Sequence, residues 1–367
     1  MATISTCIIV KNEKDKIRNC LNSVLLFSDE IIVYDTGSDD GTQDICREYD
    51  KVKVIQGEWH DDFAWARNQS FKYATCDYIF WIDADDTIDE ECQKWLLNFK
   101  TDKILFGHSI EDADMVSGVY YYENRKKVIQ YRNFLVKRTM NPEWKYRIHE
   151  KLIISDFKPE KHFYIPKELF YVQHNLNKDH MLLSNLRNIK IYEDMEKNYE
   201  LMDGHDYFQY GKELLGLKLY GKAKDILKKA LSKNNPKLET LLCYKFLSFI
   251  YSLEGNYKES LINLYSAASI LDKPRADVCC DIGATYKLLK NWEMASWWYK
   301  LALNNIPKDY EATMCEVEHY TTVPSLCLCE VEYKLGHFEE SKNYNEMALQ
   351  FDPTNEIALA NKRDYFS

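Results

Sequence analysis

The sequence predicts two architectures in one chain: a parallel α/β sheet domain in the first half and an all-α array of helical repeats in the second. Three observations carry this reading. Apolar, β-branched runs alternate with segments of helical periodicity from the N-terminus to about Ile82. Short loops rich in Asp, Gly and Thr follow the ends of those runs. From about Tyr207 onward, one pattern of aromatic and small residues recurs four times.

The elements follow in order. Ile4 to Val10 is a buried strand ended by Lys11-Asn12-Glu13. Ile17, Cys20, Leu21, Val24 and Leu25 recur at helical spacing. Glu30 to Tyr34 is the second strand and stops at Asp35. A loop from Thr36 to Thr42 follows, then a helix through Ile45 and Tyr49. Val52 to Gln56 is the third strand, Phe63 to Tyr73 a helix, and Tyr78 to Ile82 the fourth strand. This rhythm means parallel strands joined by crossovers, so the loops after Val10, Asp35 and Ile82 open on one sheet edge.

The fourth strand ends at three carboxylates, Asp83, Asp85 and Asp86. In an extended chain alternate residues point the same way, which would bring Asp83 and Asp85 together. Two carboxylates so placed suit a hard divalent cation with oxygen ligands. The same residues also read as a solvated acidic turn capping a helix that begins near Asp89, and the stretch alone leaves both readings open.

Composition narrows the partners. With 367 residues and 46% hydrophobic content, the chain has room for two or three domains. A net charge of -10 and the lack of a basic run argue against a general nucleic-acid or anionic-membrane binder. The eleven cysteines show neither zinc-site spacing nor a disulfide framework. No secretory signal and no membrane span is visible, so the expected setting is the cytoplasm.

Four motifs in order resemble the family-2 glycosyltransferases, which have the nucleotide-sugar-binding fold called GT-A. They are Val10-Lys11-Asn12-Glu13, Asp35 to Thr42, Phe63-Ala64-Trp65-Ala66-Arg67-Asn68 after Asp62, and Asp83-Ala84-Asp85. The resemblance implies transfer of a sugar from a nucleoside diphosphate donor, expected here to be a UDP-sugar, with inversion at the anomeric carbon. It implies that Asp35 binds the base and that Val10, Asn12 and Glu13 border its pocket. It places Asp62, Arg67 and Asn68 in the donor site, with Arg67 a fixed charge near the phosphates. Asp83-Ala84-Asp85 matches the family's DxD motif, in which Asp83 would face ribose and sugar and Asp85 would hold Mg²⁺ or Mn²⁺. Taken singly, Arg67 also reads as a surface salt bridge, and Asp35 as a turn-forming carboxylate bonding Gly37.

Beyond Asp102 the pattern loosens. Lys103 to Ile110, Gly118 to Glu123 and Val128 to Val136 read as strands that form the acceptor side. An inverting transfer to a hydroxyl needs a base, and Glu150, beside His149, is the candidate. Its structural reading is a salt bridge to Lys145, Arg147 or Lys151. His174 is a candidate third metal ligand by the same resemblance, or a structural histidine. The Glu-Asp pair that many family members use as base has no clear counterpart.

A helical stretch from His180 to Glu200 should join the domains. The expected division is 1–176, a connecting helix over 177–206, and repeats over 207–367. In the repeats Tyr220, Tyr257, Trp292 and Phe338 are followed by Ala223, Ser260, Ala295 and Ser341. Then come Ala230, Ala267, Ala302 and Ala348, with Leu231, Ala268, Leu303 and Leu349 next to them. Pro236, Pro274, Pro307 and Pro353 stand where helices should stop, and Tyr310 to Thr322 is an insertion. This resembles tetratricopeptide repeats, whose concave surface mainly holds peptides or partner proteins. Trp297 and Trp298 read as packing residues rather than a sugar platform. The whole resembles sublancin-type peptide S-glycosyltransferases, which implies a peptide acceptor modified on Cys or Ser in a bacteriocin precursor. A homodimer through the repeats, a transferase for surface glycan or lipid-linked sugar, and a scaffold with a dead transferase domain are the other readings.

Overall fold

The structure, a computed structural model, describes residues 1–101, 104–105, 108–109, 113–122, 130–155, 161–166, 170–174, 178–305 and 317–366. The chain divides into two compact units, Met1–Leu183 and Ser184–Ser367.

The first unit opens with β1 (Ile4–Val10), α1 (Ile17–Val24), β2 (Glu30–Asp35), α2 (Thr42–Cys46), β3 (Val52–Gln56), α3 (Phe63–Phe71) and β4 (Tyr78–Trp81). The four strands are parallel in the order β3-β2-β1-β4. Every residue of β4, and all of β1 except Ile9, is buried, as expected of central parallel strands covered on both faces. The register sets Val10 opposite Asp35, and Cys7 opposite Trp81. The chain therefore leaves β1, β2 and β4 at one edge, as the alternation predicts.

The unit continues with β5 (Asp86–Thr87), α4 (Glu90–Thr101), β6 (Ile104–Leu105), β7 (His108–Ser109), β8 (Met115–Tyr122), β9 (Gln130–Lys137), β10 (Glu143–Lys145), β11 (Lys151–Ile153), β12 (His162–Tyr164) and β13 (Tyr171–His174). Among the described residues nine strands form one mixed sheet, which runs on from β4 through β9, β8, β13 and β5, with β12 also on β8. β9 is antiparallel to both neighbours. The expected strand from Lys103 to Ile110 is instead a pair of two-residue antiparallel pieces, β6 and β7, and its remaining residues lie outside the description. The other two expected strands are β8 and β9, except that Glu123, Val128 and Ile129 lie outside the described residues.

The helix α5 (Lys178–Lys197) contains the division between units. After it come α6 (Gly204–Gly216), α7 (Tyr220–Leu231), α8 (Lys237–Leu253), α9 (Tyr257–Ala268), α10 (Ala276–Leu288), α11 (Trp292–Asn304), α12 (Thr322–Leu335), α13 (Phe338–Phe351) and α14 (Glu356–Tyr365). They pack as successive pairs, α6 with α7, α8 with α9, α10 with α11 and α12 with α13. The aromatic column marks the first residue of α7, α9, α11 and α13. Ala223, Ser260, Ala295 and Ser341 are wholly buried, as are Ala230, Ala267, Ala302 and Ala348, so both small-residue columns are the seams where helices meet. Trp298 is buried, whereas Trp297 is half exposed. Pro307 and most of the expected insertion lie outside the described residues. The described cysteines are free thiols. No helix among the described residues is long and apolar enough to cross a membrane.

Candidate active site

Three loops meet at the edge where β1, β2 and β4 end, and side chains stitch them together. The Asn12 amide N–H donates to Ser38 Oγ (2.9 Å), and Asn12 Oδ1 accepts from the Asp39 N–H (2.9 Å). The Glu13 N–H donates to Thr42 Oγ1 (3.0 Å). Val10 offers its carbonyl to both the N–H and the hydroxyl of Thr36. Asp35 is 1% exposed, and its Oδ1 accepts from the N–H groups of Gly37 and Ser38. The turn-forming reading of Asp35 is thus realised with one oxygen. The other, Oδ2, is buried without a hydrogen-bond partner among the described residues and is free to accept a donor. Just past β3, a Cβ at Gly57 would stand 2.0 Å from the Tyr34 hydroxyl, so a larger residue there would have to displace that ring.

Asp62 is the N-cap of α3, accepting from the Trp65 N–H at 2.8 Å. Asn68 uses both ends of its amide on the backbone of Trp144, at 2.9 and 2.8 Å. Arg67 departs from expectation. It is 4% exposed, with Nη2 bonded to Asp83 Oδ1 (2.6 Å) and Nε to Glu150 Oε1 (2.7 Å). Its guanidinium carbon lies 4.6 Å from the Trp81 ring and 4.9 Å from the Trp144 ring. Burial pulls its pKa down, but the two carboxylates outweigh this and hold it above the usual arginine value. Arg67 is therefore not a surface salt bridge but an internal tie between α3, the end of β4 and the segment before β11.

That segment carries His149 and Glu150. Its backbone docks on the loop before α3, through Phe63 N–H to Arg147 O (2.7 Å) and Arg147 Nε to Asp61 O (3.1 Å). Asn12, Asp61, Tyr146 and His149 all hold φ between 53° and 75°. Left-handed non-glycine residues cost free energy and gather where function constrains the backbone. Glu150 has the salt bridge of its structural reading, but to Arg67 rather than to Lys145, Arg147 or Lys151.

Asp83 to Asp86 is not extended. The Asp86 N–H returns to the Asp83 carbonyl at 3.1 Å, closing a turn, so strand alternation does not bring Asp83 and Asp85 together. Each acid has its own partner. Asp83 binds Arg67 and faces Arg132 Nη1 at 3.9 Å, and Arg132 lies 3.6 Å over the Tyr120 ring. Asp85 Oδ2 faces Lys16 Nζ at 3.5 Å, and the same ammonium is 3.4 Å from Glu13 Oε2. Asp86 is buried and accepts from the Tyr120 hydroxyl at 3.1 Å. Helix capping falls to Asp89, whose Oδ1 accepts from the Cys92 N–H at 2.8 Å. Ala84 is buried. His174 pairs in register with Asp86 through its backbone, and its side chain lies outside the description.

The donor set fits a magnesium or manganese ion. Glu13 and Asp85 are hard carboxylates, partly open to solvent, and they already bracket a positive charge. Such ions need only one or two carboxylates when a diphosphate supplies the other oxygens. A separate group of ligand atoms, on Glu332, His337 and Glu340 of the repeats, is already bridged by Lys300, 2.8 Å from Glu332.

The chain is similar to known proteins over the unit that holds this site. A profile of the family described as Glycosyl transferase family 2 matches residues 5–173. Over 284 residues the chain is 29% identical to the SPbeta prophage-derived glycosyltransferase SunS of Bacillus subtilis (strain 168), covering 76% of this chain and 65% of that protein. An uncharacterized glycosyltransferase of Rickettsia typhi is 38% identical over 95 residues, 25% of this chain and 31% of its own. The chain therefore spans less than two thirds of the length of these relatives. Among solved structures, that of YrrB, a TPR protein with an unusual peptide-binding site, is similar at a TM-score of 0.38 and 14% identity, covering 50% of this chain and 85% of that one. The first unit of this chain carries a domain that matches glycosyl transferase family 2 over residues 5–173, and the second is an array of paired helical repeats.

Proposed function

We propose that the protein transfers a sugar, with inversion, from a UDP-sugar to a Cys or Ser side chain of a peptide, using Mg²⁺ or Mn²⁺. The observation that carries this is the pair Glu13 and Asp85, bracketing a cation at the sheet edge beside Asp35. A metal held there neutralises the charge that develops on the leaving diphosphate. Asp35 Oδ2 has the burial and the lack of a partner that suit an N–H of the base. Asp83, fixed by Arg67, is oriented for hydroxyls of ribose and sugar. Arg67 takes one oxygen of Glu150, and the second is the one able to accept the acceptor's proton. On the acceptor side, the repeat unit contains a cavity of about 570 Å³ lined in part by Lys245, Phe246, Phe249, Asp281 and Leu288. Apolar walls with a few charges suit a peptide segment.

The test is a mass-spectrometric screen of UDP-sugars against Cys- and Ser-containing peptides with Mn²⁺ present. The expected result is a sugar adduct that disappears with excess chelator and with Asp85→Ala, while the variant's circular dichroism stays that of the wild type. Full transfer by a folded Asp85→Ala enzyme would overturn the metal assignment, and no adduct with any pair would overturn the peptide acceptor.

A further inference from the structure

Glu13 is fixed by its backbone. Its N–H is held by Thr42, and its carbonyl accepts from the N–H groups of Lys16 and Ile17 at 3.0 and 2.8 Å. Asp85 is fixed by the turn that closes between Asp83 and Asp86. Between the carboxylates of these two residues, whose backbones are so held, stands a group of the opposite kind. Lys16 carries a compact ammonium on a flexible four-carbon stem, and its side chain is 38% exposed. It is 3.4 Å from one carboxylate and 3.5 Å from the other.

We propose that Lys16 is a built-in counter-ion, which holds Asp85 in the donor-free enzyme and competes with the divalent ion for that carboxylate. The proposal rests on the metal-dependent reading above. An ammonium and a metal cannot share the Asp85 oxygen, and like charges this close repel strongly. The ion alone must displace Lys16 and is held weakly. When it arrives with a nucleoside diphosphate, the ammonium can turn to the added negative charge, so the two ligands favour each other's binding. The site is thereby protected from collecting a metal without a donor.

The measurement is a titration of the full-length protein with Mn²⁺ alone, followed by electron paramagnetic resonance of the free ion, for wild type, Lys16→Gln, Lys16→Arg and Asp85→Asn. Removing the charge should tighten Mn²⁺ binding by roughly tenfold or more. Lys16→Arg, which keeps the charge, should bind as weakly as wild type, a distinction that a merely structural role would not produce. Asp85→Asn should lose binding. A second titration with UDP present should narrow the gap between wild type and Lys16→Gln. If Lys16→Gln binds Mn²⁺ like wild type while Asp85→Asn loses it, the metal site stands and the counter-ion role is overturned. If no variant binds Mn²⁺ even with UDP, both the metal reading and this proposal are overturned.

Discussion

Arg67 donates through Nε to Glu150 at 2.7 Å, across 83 residues of sequence and in near-complete burial. Because the other end of the guanidinium holds Asp83, removing it strips Glu150 of this ion pair and leaves Asp83 with the more distant Arg132, at 3.9 Å. Loss of one partner from a buried ion pair typically destabilises by about 3–5 kcal/mol. Arg67→Ala should lower the urea midpoint of the first unit accordingly, and Arg67→Lys by less, since it keeps charge but not the fork. Tryptophan fluorescence follows this directly, with Trp81 and Trp144 on either side. A wild-type midpoint for Arg67→Ala would mean that the tie contributes nothing.

Asp35 divides its work between its two oxygens, and Asp35→Asn separates them. The amide oxygen can keep the turn bonds to Gly37 and Ser38, while the amide nitrogen replaces the unpartnered Oδ2 with a donor. The donor KM should rise more than kcat falls, because a base contact far from the reacting carbon is uniform binding. Steady-state kinetics with varied donor decides it; a collapse of kcat at unchanged KM would remove Asp35 from base recognition.

Glu150→Gln tests the base and the acceptor atom together. A serine hydroxyl needs a positioned base, typically worth about 10²–10⁴-fold. A cysteine thiol, with an ordinary pKa near ~8.5, is already partly ionised at neutral pH. The variant should nearly stop transfer to a Ser peptide, and lose less with the Cys peptide, recovering as pH rises. Equal losses for both peptides at every pH would leave Glu150 only its role of holding Arg67.

In the repeat unit, burial raises the Asp206 pKa from 3.8 to about 6. A folded value above the unfolded one means that its contribution to stability is fully present below about 3.8 and is lost as pH rises through about 6. Asp206→Asn keeps an acceptor for the Asp203 N–H in the capping box of α6. It should therefore raise the stability of the helical repeats at pH 7 by up to about 3 kcal/mol and bring no gain near pH 4. Helical circular dichroism melts at both pH values measure this, and identical gains at both would refute it.

The two-part architecture was legible because both parts repeat a simple rule. Buried parallel strands need unbroken apolar runs, and close helix crossings need Ala or Ser at fixed offsets, so Ile79, Phe80, Ala230 and Ala302 announce their own burial. The loops could be read as a set for the same reason, since topology alone brings Asn12, Asp35 and Asp83 to one edge. What joins them could not. Arg67 meets Glu150, in an irregular turn, and Asn68 meets Trp144, in the three-residue strand β10, through tertiary placement of segments too short to show a period. The turn at Asp83 depends on one hydrogen bond from the Asp86 N–H, which leaves no signature in residue type. Lys16 carries no signal in the sequence, because a lysine three residues after a glutamate is ordinary; only the fold brings Asp85 to it.

An engineer wanting a hardier enzyme would turn first to Tyr146 and His149, at φ 75° and 54°. Glycine at either position would relieve roughly 1–2 kcal/mol of left-handed strain, offset in part by the greater freedom it gives the unfolded chain. It would also loosen the few residues that present Glu150 to the sheet edge. Heat tolerance and turnover therefore pull in opposite directions at these two positions, and variants selected for one should be expected to surrender some of the other.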